Sequence, residues 1–219
     1  MPLRTVVDKV VAYQEKRFRE EGASARGLDW KSAEAQELNF RALMSMMPDR
    51  SGSVLDVGCG LAHLRDFLAA NGFTGDYTGI DVSPVLIEEA RRLRPGLDLR
   101  VHDLLADPPL PRAFDYVVAS GVFSARLDTP SDEFEDYAAR MVEAMYGLCR
   151  RATAFNMLTS FVDFEAAHLY YGDPGDWLHR GRRLSRFLRL HHDSDSYFFV
   201  LGIYRGPNDG DPVIPVGQR

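Results

Sequence analysis

A short apolar strand runs directly into a glycine-rich turn in the first third of the sequence, from Val54 to Ala62. The strand ends close to an acidic residue, Asp56. Gly58 and Gly60 allow the backbone to turn tightly and leave room for a ligand that lies against it. The helix predicted to follow would direct its free N–H groups at that ligand. Because such turns also occur in units that bind nothing, the neighbouring strands decide what this turn indicates.

Three successive predicted strands each end close to a carboxylate. Asp56 belongs to the first, Asp81 ends a second strand that begins at Tyr77, and Asp103 follows a third apolar segment from Leu97 to Val101. In an open α/β sheet the ligand lies outside the carboxyl ends of the strands. Each acid could by itself be a helix cap or a solvated loop residue, but three in the same position predict one shared pocket.

The turn resembles the first motif of the class I S-adenosylmethionine-dependent methyltransferases, which has the form acid-x-Gly-x-Gly-x-Gly. Asp56, Gly58 and Gly60 match it, and Ala62 replaces the third glycine. The motif resemblance covers roughly residues Ser53 to Ser124. It implies a methyltransferase that uses S-adenosylmethionine and releases S-adenosylhomocysteine.

The resemblance also implies how the cofactor is held. The turn from Gly58 to Gly60 would line its methionine half, Asp81 would hold the ribose diol, and Asp103 would accept a hydrogen bond from the adenine amino group. The backbone of the loop after the fourth strand would approach the cofactor as well. The expected cofactor-binding residues are therefore Asp56, Gly58, Cys59, Gly60, Ala62, Asp81, Val82, Asp103, Leu104, Ser120 and Gly121.

A nicotinamide-binding Rossmann protein is the nearest alternative, since it also combines a glycine turn with a distal acid. Asp56 argues against it, because a pyrophosphate is itself negatively charged, whereas S-adenosylmethionine brings an ammonium and a sulfonium that favour carboxylates. Two further alternatives stay open. One is a non-catalytic protein that only binds the cofactor, which Ala62 would suit, and the other is transfer of an aminopropyl or other group.

The predicted fold is α/β, with a Rossmann-like doubly wound sheet and helices on both of its faces. Two β runs near the end of the chain, Arg186 to His192 and Ser196 to Tyr204, predict a hairpin that adds one antiparallel strand to a mostly parallel sheet. We expect a single domain over residues 1–205, formed by an N-terminal helical lid (1–50) and a core (51–205), and a flexible tail over 206–219.

Composition excludes several other classes of protein. The chain of 219 residues suits one α/β domain, and its net charge of −6 argues against a nucleic-acid partner. Cys59 and Cys149 offer no disulfide framework and no metal-ligand spacing, so we expect no metal. No apolar run is long enough to span a membrane and no signal-peptide segment is evident, which predicts a cytoplasmic location. No feature of the sequence indicates an oligomeric state.

The loop after the fourth strand, Ala119 to Ser124, bears on the methyl acceptor. It lacks the Asn-Pro-Pro-Tyr type of tetrapeptide with which some of these enzymes hold a planar amide or a base amine. Together with the acidic charge, this favours transfer to an oxygen or nitrogen of a small molecule. Phe123 of this loop is expected either to border the acceptor or to pack beneath the loop.

Aromatic residues elsewhere supply the other acceptor candidates. An insert after the fifth strand contains His168, Tyr170 and Tyr171, and Trp30 lies between the two predicted N-terminal helices. Because water must be kept away from a reactive sulfonium, these segments are expected to close the pocket. His168 is a weak candidate for a general base, since a lone histidine is more often structural. The expected acceptor-binding residues are Trp30, Phe123, His168, Tyr170 and Tyr171, and Tyr13 and Gln36 could also belong to the lid.

Overall fold

Eight strands form one mixed sheet in the computed structural model, which describes residues 3–110, 113–192 and 197–207. The strands are β1 (Val54–Val57), β2 (Tyr77–Asp81), β3 (Asp98–Val101), β4 (Phe114–Ala119), β5 (Cys149–Thr159), β6 (Tyr171–Gly172), β7 (Phe187–His192) and β8 (Phe198–Tyr204). Their order across the sheet is β3-β2-β1-β4-β5-β8-β7, and the short β6 pairs with β5.

The terminal hairpin gives the sheet its mixed character. β8 runs antiparallel to both of its neighbours, β5 and β7, while β1 to β6 pair in parallel. The predicted mixed sheet with one antiparallel strand is thus confirmed. The turn between the two predicted β runs, Asp193 to Asp195, lies outside the described residues, as do residues 208–219 of the predicted tail.

Helices cover both faces of the sheet. They are α1 (Leu3–Glu21), α2 (Ala33–Ser45), α3 (His63–Ala70), α4 (Pro84–Leu93), α5 (Ser131–Leu148) and α6 (Pro174–Leu184), and a 3-10 turn covers Arg26–Leu28. Alternate residues of the strands meet opposite faces. In β4, Tyr116 and Val118 belong to the apolar cluster of α2 and α3, and Val117 and Ala119 to that of α5 and α6. Among the described residues, no helix is long and apolar enough to cross a membrane.

The N-terminal segment, residues 3–47, covers the carboxyl ends of the central strands. Val6 of α1 packs in the cluster of α5, and further along the same helix Glu15 accepts a hydrogen bond of 2.9 Å from the Ser83 hydroxyl at the start of α4. α1 therefore reaches from one face of the sheet to the other. Ser32 caps α2 by accepting from the Ala35 N–H, as its position in the sequence predicts.

Two of the predicted acceptor residues belong to the core. Phe123 is fully buried and packs edge-on against Phe155, with ring centroids 5.6 Å apart. Tyr170 packs against Phe134, and its hydroxyl accepts a hydrogen bond from the Trp177 indole. Phe123 thus packs beneath its loop, which is one of its two expected positions. The expectation that Tyr170 borders the acceptor is corrected by its packing, because Tyr170 does not line the cavity described below.

The core position of Tyr170 predicts a stability effect. Tyr170→Ala should lower the free energy of unfolding by about 3–5 kcal/mol, since it removes a buried aromatic ring and leaves a cavity. Chemical denaturation would measure the change. Phe164→Ala is the matched control: the Phe164 ring is exposed, so its loss should change stability by no more than about 0.5 kcal/mol. Equal effects of the two substitutions would contradict this assignment.

Candidate active site

A cleft of about 120 Å³ opens where β1, β2 and β4 end. Its floor combines the glycine turn, the end of β2 and the loop after β4, while the N-terminal segment covers it. Eight of the expected cofactor residues line it: Asp56, Gly58, Cys59, Gly60, Asp81, Val82, Ser120 and Gly121. The topology therefore brings together segments that lie as much as 65 residues apart.

The glycine turn adopts backbone angles that few other residues tolerate. Gly58 has a φ of +70° and Gly60 a φ of +52°. A Cβ atom on Gly58 would lie 2.4 Å from a methyl group of Val122, so a side chain there would collide with the loop after β4. At Gly60 a Cβ atom would lie 3.1 Å from a methyl group of Leu28, in the N-terminal segment. The turn therefore packs directly against both walls of the cleft.

Asp81 joins the end of β2 to the glycine turn. One oxygen of its buried carboxylate accepts a hydrogen bond of 2.9 Å from the Gly60 N–H, and the other accepts one of 2.9 Å from the Ser83 N–H. Burial raises the pKa of this carboxyl group, and its backbone hydrogen bonds oppose the rise. Each carboxylate oxygen can accept a further hydrogen bond, so Asp81 can fix the turn and still bind a ligand hydroxyl.

Asp56 is a second buried carboxylate in the same cleft. Its single described hydrogen bond among side chains comes from the Tyr77 hydroxyl, at 2.6 Å. Burial raises the pKa of Asp56 to about 7, and the nearby charge of Asp81 acts in the same direction. Among the described residues no ion pair neutralises either acid. The cleft is therefore suited to a cationic group.

Ala62, which stands where the family motif has its third glycine, does not line the cleft. Ala62 has a φ of +60° and precedes α3. Its buried methyl group belongs to the apolar cluster of Ile87, Ala90 and Leu99 and does not line the cleft. Cys59 belongs to the same cluster, and burial raises the pKa of its thiol well above the usual value, which favours a packing role over a reactive one.

Asp103 differs from the other two strand-end acids. Its carboxylate accepts hydrogen bonds from the Leu105 and Ala106 N–H groups of its own turn. Neither Asp103 nor Leu104 is among the residues that line the cleft, and the contact of these two residues with adenine stays a prediction. Tyr137, which the sequence did not single out, lines the cleft; burial raises the pKa of Tyr137, and the charge of Asp103 acts in the same direction.

The cover of the cleft was only partly predictable. Val10, Val11 and Gln14 of α1 line it, together with Leu28. Gln14 lies three and four residues beyond the two valines, a spacing that places all three on one helix face, but it does not show what that face covers. Gln36 lines the cleft as well and lies 3.2 Å from the His63 ring. Tyr13 does not line it: the Tyr13 hydroxyl donates to Asp29 within the N-terminal segment.

Trp30 lies between this cleft and a second, larger cavity. Its ring packs against Phe40 and Phe198 and lies about 3.0 Å from the position that a Cβ atom on Gly121 would occupy. Trp30 and Gly121 contribute to the walls of both spaces. The indole and the loop after β4 therefore form the partition between the two.

A buried polar chain fixes this partition. The Asn156 side chain in β5 accepts a hydrogen bond of 2.7 Å from the Gly121 N–H and donates one of 2.9 Å to the Asn39 side chain in α2. Asn39 in turn donates to the Ala35 carbonyl. The chain joins the loop after β4 to the N-terminal segment. Asn39 and Asn156 lie 117 residues apart, so no local sequence pattern reveals the pair.

The second cavity has a volume of about 480 Å³, and we call it the acceptor cavity. His168 and Tyr171 line it, as does Trp30, so three of the five expected acceptor residues meet there. β6 pairs with β5 through Tyr171 opposite Leu158 and holds the insert beside the sheet. The described residues include no cluster of three or more His, Cys, Asp or Glu side chains that could hold a metal ion.

The residues of the cleft fit S-adenosylmethionine. Two buried carboxylates without ion pairs in the described part of the chain suit its ammonium group and its ribose hydroxyls. The glycine turn gives close access to backbone, and the buried Ser120 Oγ has no hydrogen-bond partner among the described residues. These features would not suit the pyrophosphate of a nicotinamide cofactor, because its negative charge would lie beside Asp56.

Comparisons with known proteins agree with this fit. Residues 54–157 match the family described as "Methyltransferase domain". "Putative methyltransferase Rv1506c" of Mycobacterium tuberculosis (strain ATCC 25618 / H37Rv) is 37% identical over 153 residues, which cover 68% of this chain and 90% of that protein.

Two solved structures show the same fold. Magnesium protoporphyrin IX methyltransferase from Synechocystis PCC 6803, with bound S-adenosylhomocysteine, has a TM-score of 0.64 at 16% identity over 93% of this chain and 99% of its own. The sugar N-methyltransferase KedS8 from Streptoalloteichus sp ATCC 53650 has a TM-score of 0.60 at 19% identity, over 88% of this chain and 92% of its own. The chain belongs to the class I S-adenosylmethionine-dependent methyltransferases, and S-adenosylmethionine is its cofactor.

Proposed function

We propose that this enzyme transfers a methyl group from S-adenosylmethionine to an oxygen or nitrogen atom of a small molecule. The observation that carries the proposal is the acceptor cavity, which adjoins the cofactor cleft across Trp30 and Gly121. The bound cofactor supplies a methyl group on a positively charged sulfur, with a good leaving group already in place. The protein then has to align the acceptor and exclude water, which can contribute roughly 7–11 kcal/mol to lowering the barrier.

We assign separate roles in cofactor binding to the residues of the cleft. Asp56 attracts the ammonium group, because it is the buried acid that has no backbone N–H donor described for it. Asp81 accepts from the ribose hydroxyls while it holds the glycine turn. The apolar end of the cleft at Val82, Leu86 and Tyr137 suits the adenine ring. Asp103 accepts from its own turn through one oxygen, Oδ1, which leaves the other oxygen to accept from the adenine amino group.

The N-terminal segment acts as a lid in this proposal. α1 is fastened at both ends of the cleft, by the hydrogen bond between Glu15 and Ser83 and by the ion pair of 2.7 Å between Lys9 and Asp128. Leu28 contacts the glycine turn itself. Admission of the cofactor therefore requires these contacts to open, and their closure afterwards keeps water from the reacting atoms.

Several observations favour a small molecule as the acceptor. The cavity is lined by side chains from the N-terminal segment, the insert and the residues at β8, and its volume of about 480 Å³ suits a small molecule. The net charge of −6 also disfavours a nucleic-acid substrate. The two structural relatives are a magnesium protoporphyrin IX methyltransferase and a sugar N-methyltransferase, so this fold accommodates small molecules of different sizes.

His168 is proposed as a residue of the acceptor site and as the candidate base. It is the imidazole among the described residues of this cavity, and imidazole is the side chain that acts most often as a general base. Its backbone carbonyl accepts from the Leu127 N–H, which ties the insert to the loop after β4. A base is needed only where the acceptor is protonated at neutral pH.

Cofactor binding tests the role of Asp81. Asp81→Ala should weaken the binding of S-adenosylhomocysteine at least about tenfold in titration calorimetry, because hydrogen bonds to charged groups are worth about 1.5–3 kcal/mol. Asp81→Asn, which keeps an acceptor for the glycine turn, separates loss of the ligand contact from loss of the turn. Asp136→Ala, an exposed acid of α5, should leave the affinity unchanged. Wild-type protein that is folded but does not bind would refute the whole proposal.

Asp56 predicts a pH dependence of binding. With a pKa of about 7 the free protein holds the ionised acid mainly above neutral pH, so affinity for S-adenosylhomocysteine should fall about tenfold between pH 8 and pH 6. The free energy of unfolding should instead decrease as the pH rises. A carboxyl group whose pKa is raised on folding contributes stability below its unfolded pKa, and that contribution is lost as the pH rises through about 7.

Asp56→Asn is the matched variant for this test, because an amide of the same size does not titrate. Its affinity and its melting temperature should vary less with pH than those of the wild-type protein, and the differences between the two proteins report on Asp56 alone. If affinity and melting temperature vary with pH in the same way in both proteins, another group controls the pH response.

Transfer itself is tested with isotope-labelled cofactor and a panel of alcohols, phenols and amines, followed by mass spectrometry. A mass increase of one methyl group supports the proposal, a larger increase indicates transfer of another group, and binding without transfer indicates a different role. With an acceptor found in this way, His168→Gln should lower kcat about 10²-fold or more if the imidazole removes a proton. An unchanged kcat would exclude His168 as the base.

A further inference from the structure

Exposed apolar side chains concentrate at the mouth of the acceptor cavity. Leu38, Phe164 and Tyr197 are 54%, 74% and 62% exposed, and all three line this cavity. Leu38 belongs to α2, Phe164 to the insert after β5, and Tyr197 directly precedes β8. A contiguous patch of exposed apolar side chains marks a binding surface more often than apolar side chains that are scattered singly. The mouth of this cavity is therefore built to contact apolar groups.

The interior of the cavity continues this apolar character. Trp30, Leu158 and Phe198 form part of its walls. The Asn39 amide, which is the buried polar side chain of the wall, is already engaged on both sides by Asn156 and Ala35. The walls therefore offer an acceptor mainly apolar contact.

The charged groups of the cavity give no strong preference for a charged acceptor. Asp29 is neutralised within the N-terminal segment by an ion pair of 3.3 Å with Arg17 and accepts a hydrogen bond from the Tyr13 hydroxyl. Lys31 and Asp163 are exposed and of opposite sign. A phosphate or a polycarboxylate would need several convergent cations, and the described lining residues do not provide them.

Ser124 offers a buried polar atom to the reacting end of a ligand, in the same cavity as His168. Ser124 lines the cavity, and its Oγ atom is buried without a hydrogen-bond partner among the described residues. A buried hydroxyl without a partner is costly. Rotation about the Ser124 side-chain bond, between staggered positions, can direct it to a group inside the cavity. Ser124 lies three residues beyond Gly121, on the side of the cavity that adjoins the cofactor cleft.

We propose that the methyl acceptor is a neutral molecule with an apolar body and one hydroxyl or amine group. This inference rests on the proposed function. The polar group enters first and lies beside Ser124 and Gly121, and the apolar body extends outward along Trp30 to the rim formed by Leu38, Phe164 and Tyr197. The rim thus selects the body of the acceptor, while the inner wall selects its reacting group.

Binding of a homologous series tests the apolar body. 4-Ethylphenol, 4-butylphenol and 4-hexylphenol would be titrated by calorimetry into protein saturated with S-adenosylhomocysteine. Affinity should increase roughly two- to fourfold for each added methylene group, as expected for burial of apolar surface. Glucosamine, which has an amine on a polar body, should bind more weakly than each of the phenols.

Two sets of variants locate the contacts. Phe164→Ser and Tyr197→Ser should weaken 4-hexylphenol several-fold and leave 4-ethylphenol unchanged, because only the longer chain reaches the rim. Leu93→Ser, which alters an exposed apolar residue outside the cavity, is the matched control. Ser124→Ala should weaken the binding of 4-hexylphenol about two- to tenfold and leave the binding of hexylbenzene, which lacks the hydroxyl, unaffected.

The outcomes separate this inference from the proposed function. Failure to bind S-adenosylhomocysteine would refute the function itself. Cofactor binding combined with affinity that does not depend on chain length, or with preferred binding of glucosamine, would overturn only the apolar acceptor. Equal losses for Leu93→Ser and Phe164→Ser would show that the rim makes no specific contact and would overturn it as well.

Discussion

Two carboxyl groups are buried in one cleft at the centre of this protein, and much of the site depends on how they are held. Asp81 is stabilised by backbone N–H groups, and those same hydrogen bonds set the position of the glycine turn. Asp56 has the Tyr77 hydroxyl and no ion pair in the described structure. Burying an unpaired carboxylate is unfavourable, and burial accordingly raises the pKa of Asp56 to about 7. A cationic ligand stabilises the ionised form of this acid, so the property that raises its pKa also favours a positively charged group.

The N-terminal segment is joined to the walls of the cleft by contacts of a different kind. Leu28 packs on the glycine turn, Glu15 accepts a hydrogen bond from Ser83, and Asn156 connects the loop after β4 to α2. The N-terminal segment lines both the cleft and the acceptor cavity, and Gln14, Leu28 and Trp30 contribute to both. Because the two spaces share these walls, a change in the position of the segment would alter both.

The parts of the structure that follow from local sequence were predictable. Short buried runs that end close to an acid identify β1 and β2, and glycine at positions 58 and 60 identifies a turn with unusual backbone angles. Asp103 shows the limit of this reasoning. It follows its strand as Asp81 ends its own, but one oxygen of Asp103 accepts from its own turn and the residue does not line the cleft. A hydrogen bond within a loop leaves no periodic trace in the sequence.

The acceptor site was less predictable because it is assembled from distant segments. Tyr170 and Tyr171 are adjacent and chemically identical, and neighbouring residues in an extended segment point in opposite directions. Composition cannot decide which of them faces the core. The pairing of β6 with β5 decides it, and directs Tyr171 to the cavity and Tyr170 to Trp177. The hydrogen bond between Asn39 and Asn156 likewise forms only when the N-terminal segment packs against the sheet.

Ala62 shows why a departure from a family motif need not mean loss of function. A non-glycine residue in the left-handed region costs roughly 1–2 kcal/mol, which explains why glycine is the usual choice there. The Ala62 methyl group points away from the cleft and is buried beside Ile87 and Ala90, and burial of one such group contributes about 0.8 kcal/mol. The two effects largely cancel. The substitution therefore alters the packing of α4 against the turn, leaves the ligand side of the turn unchanged, and gives no reason to deny catalysis to this chain.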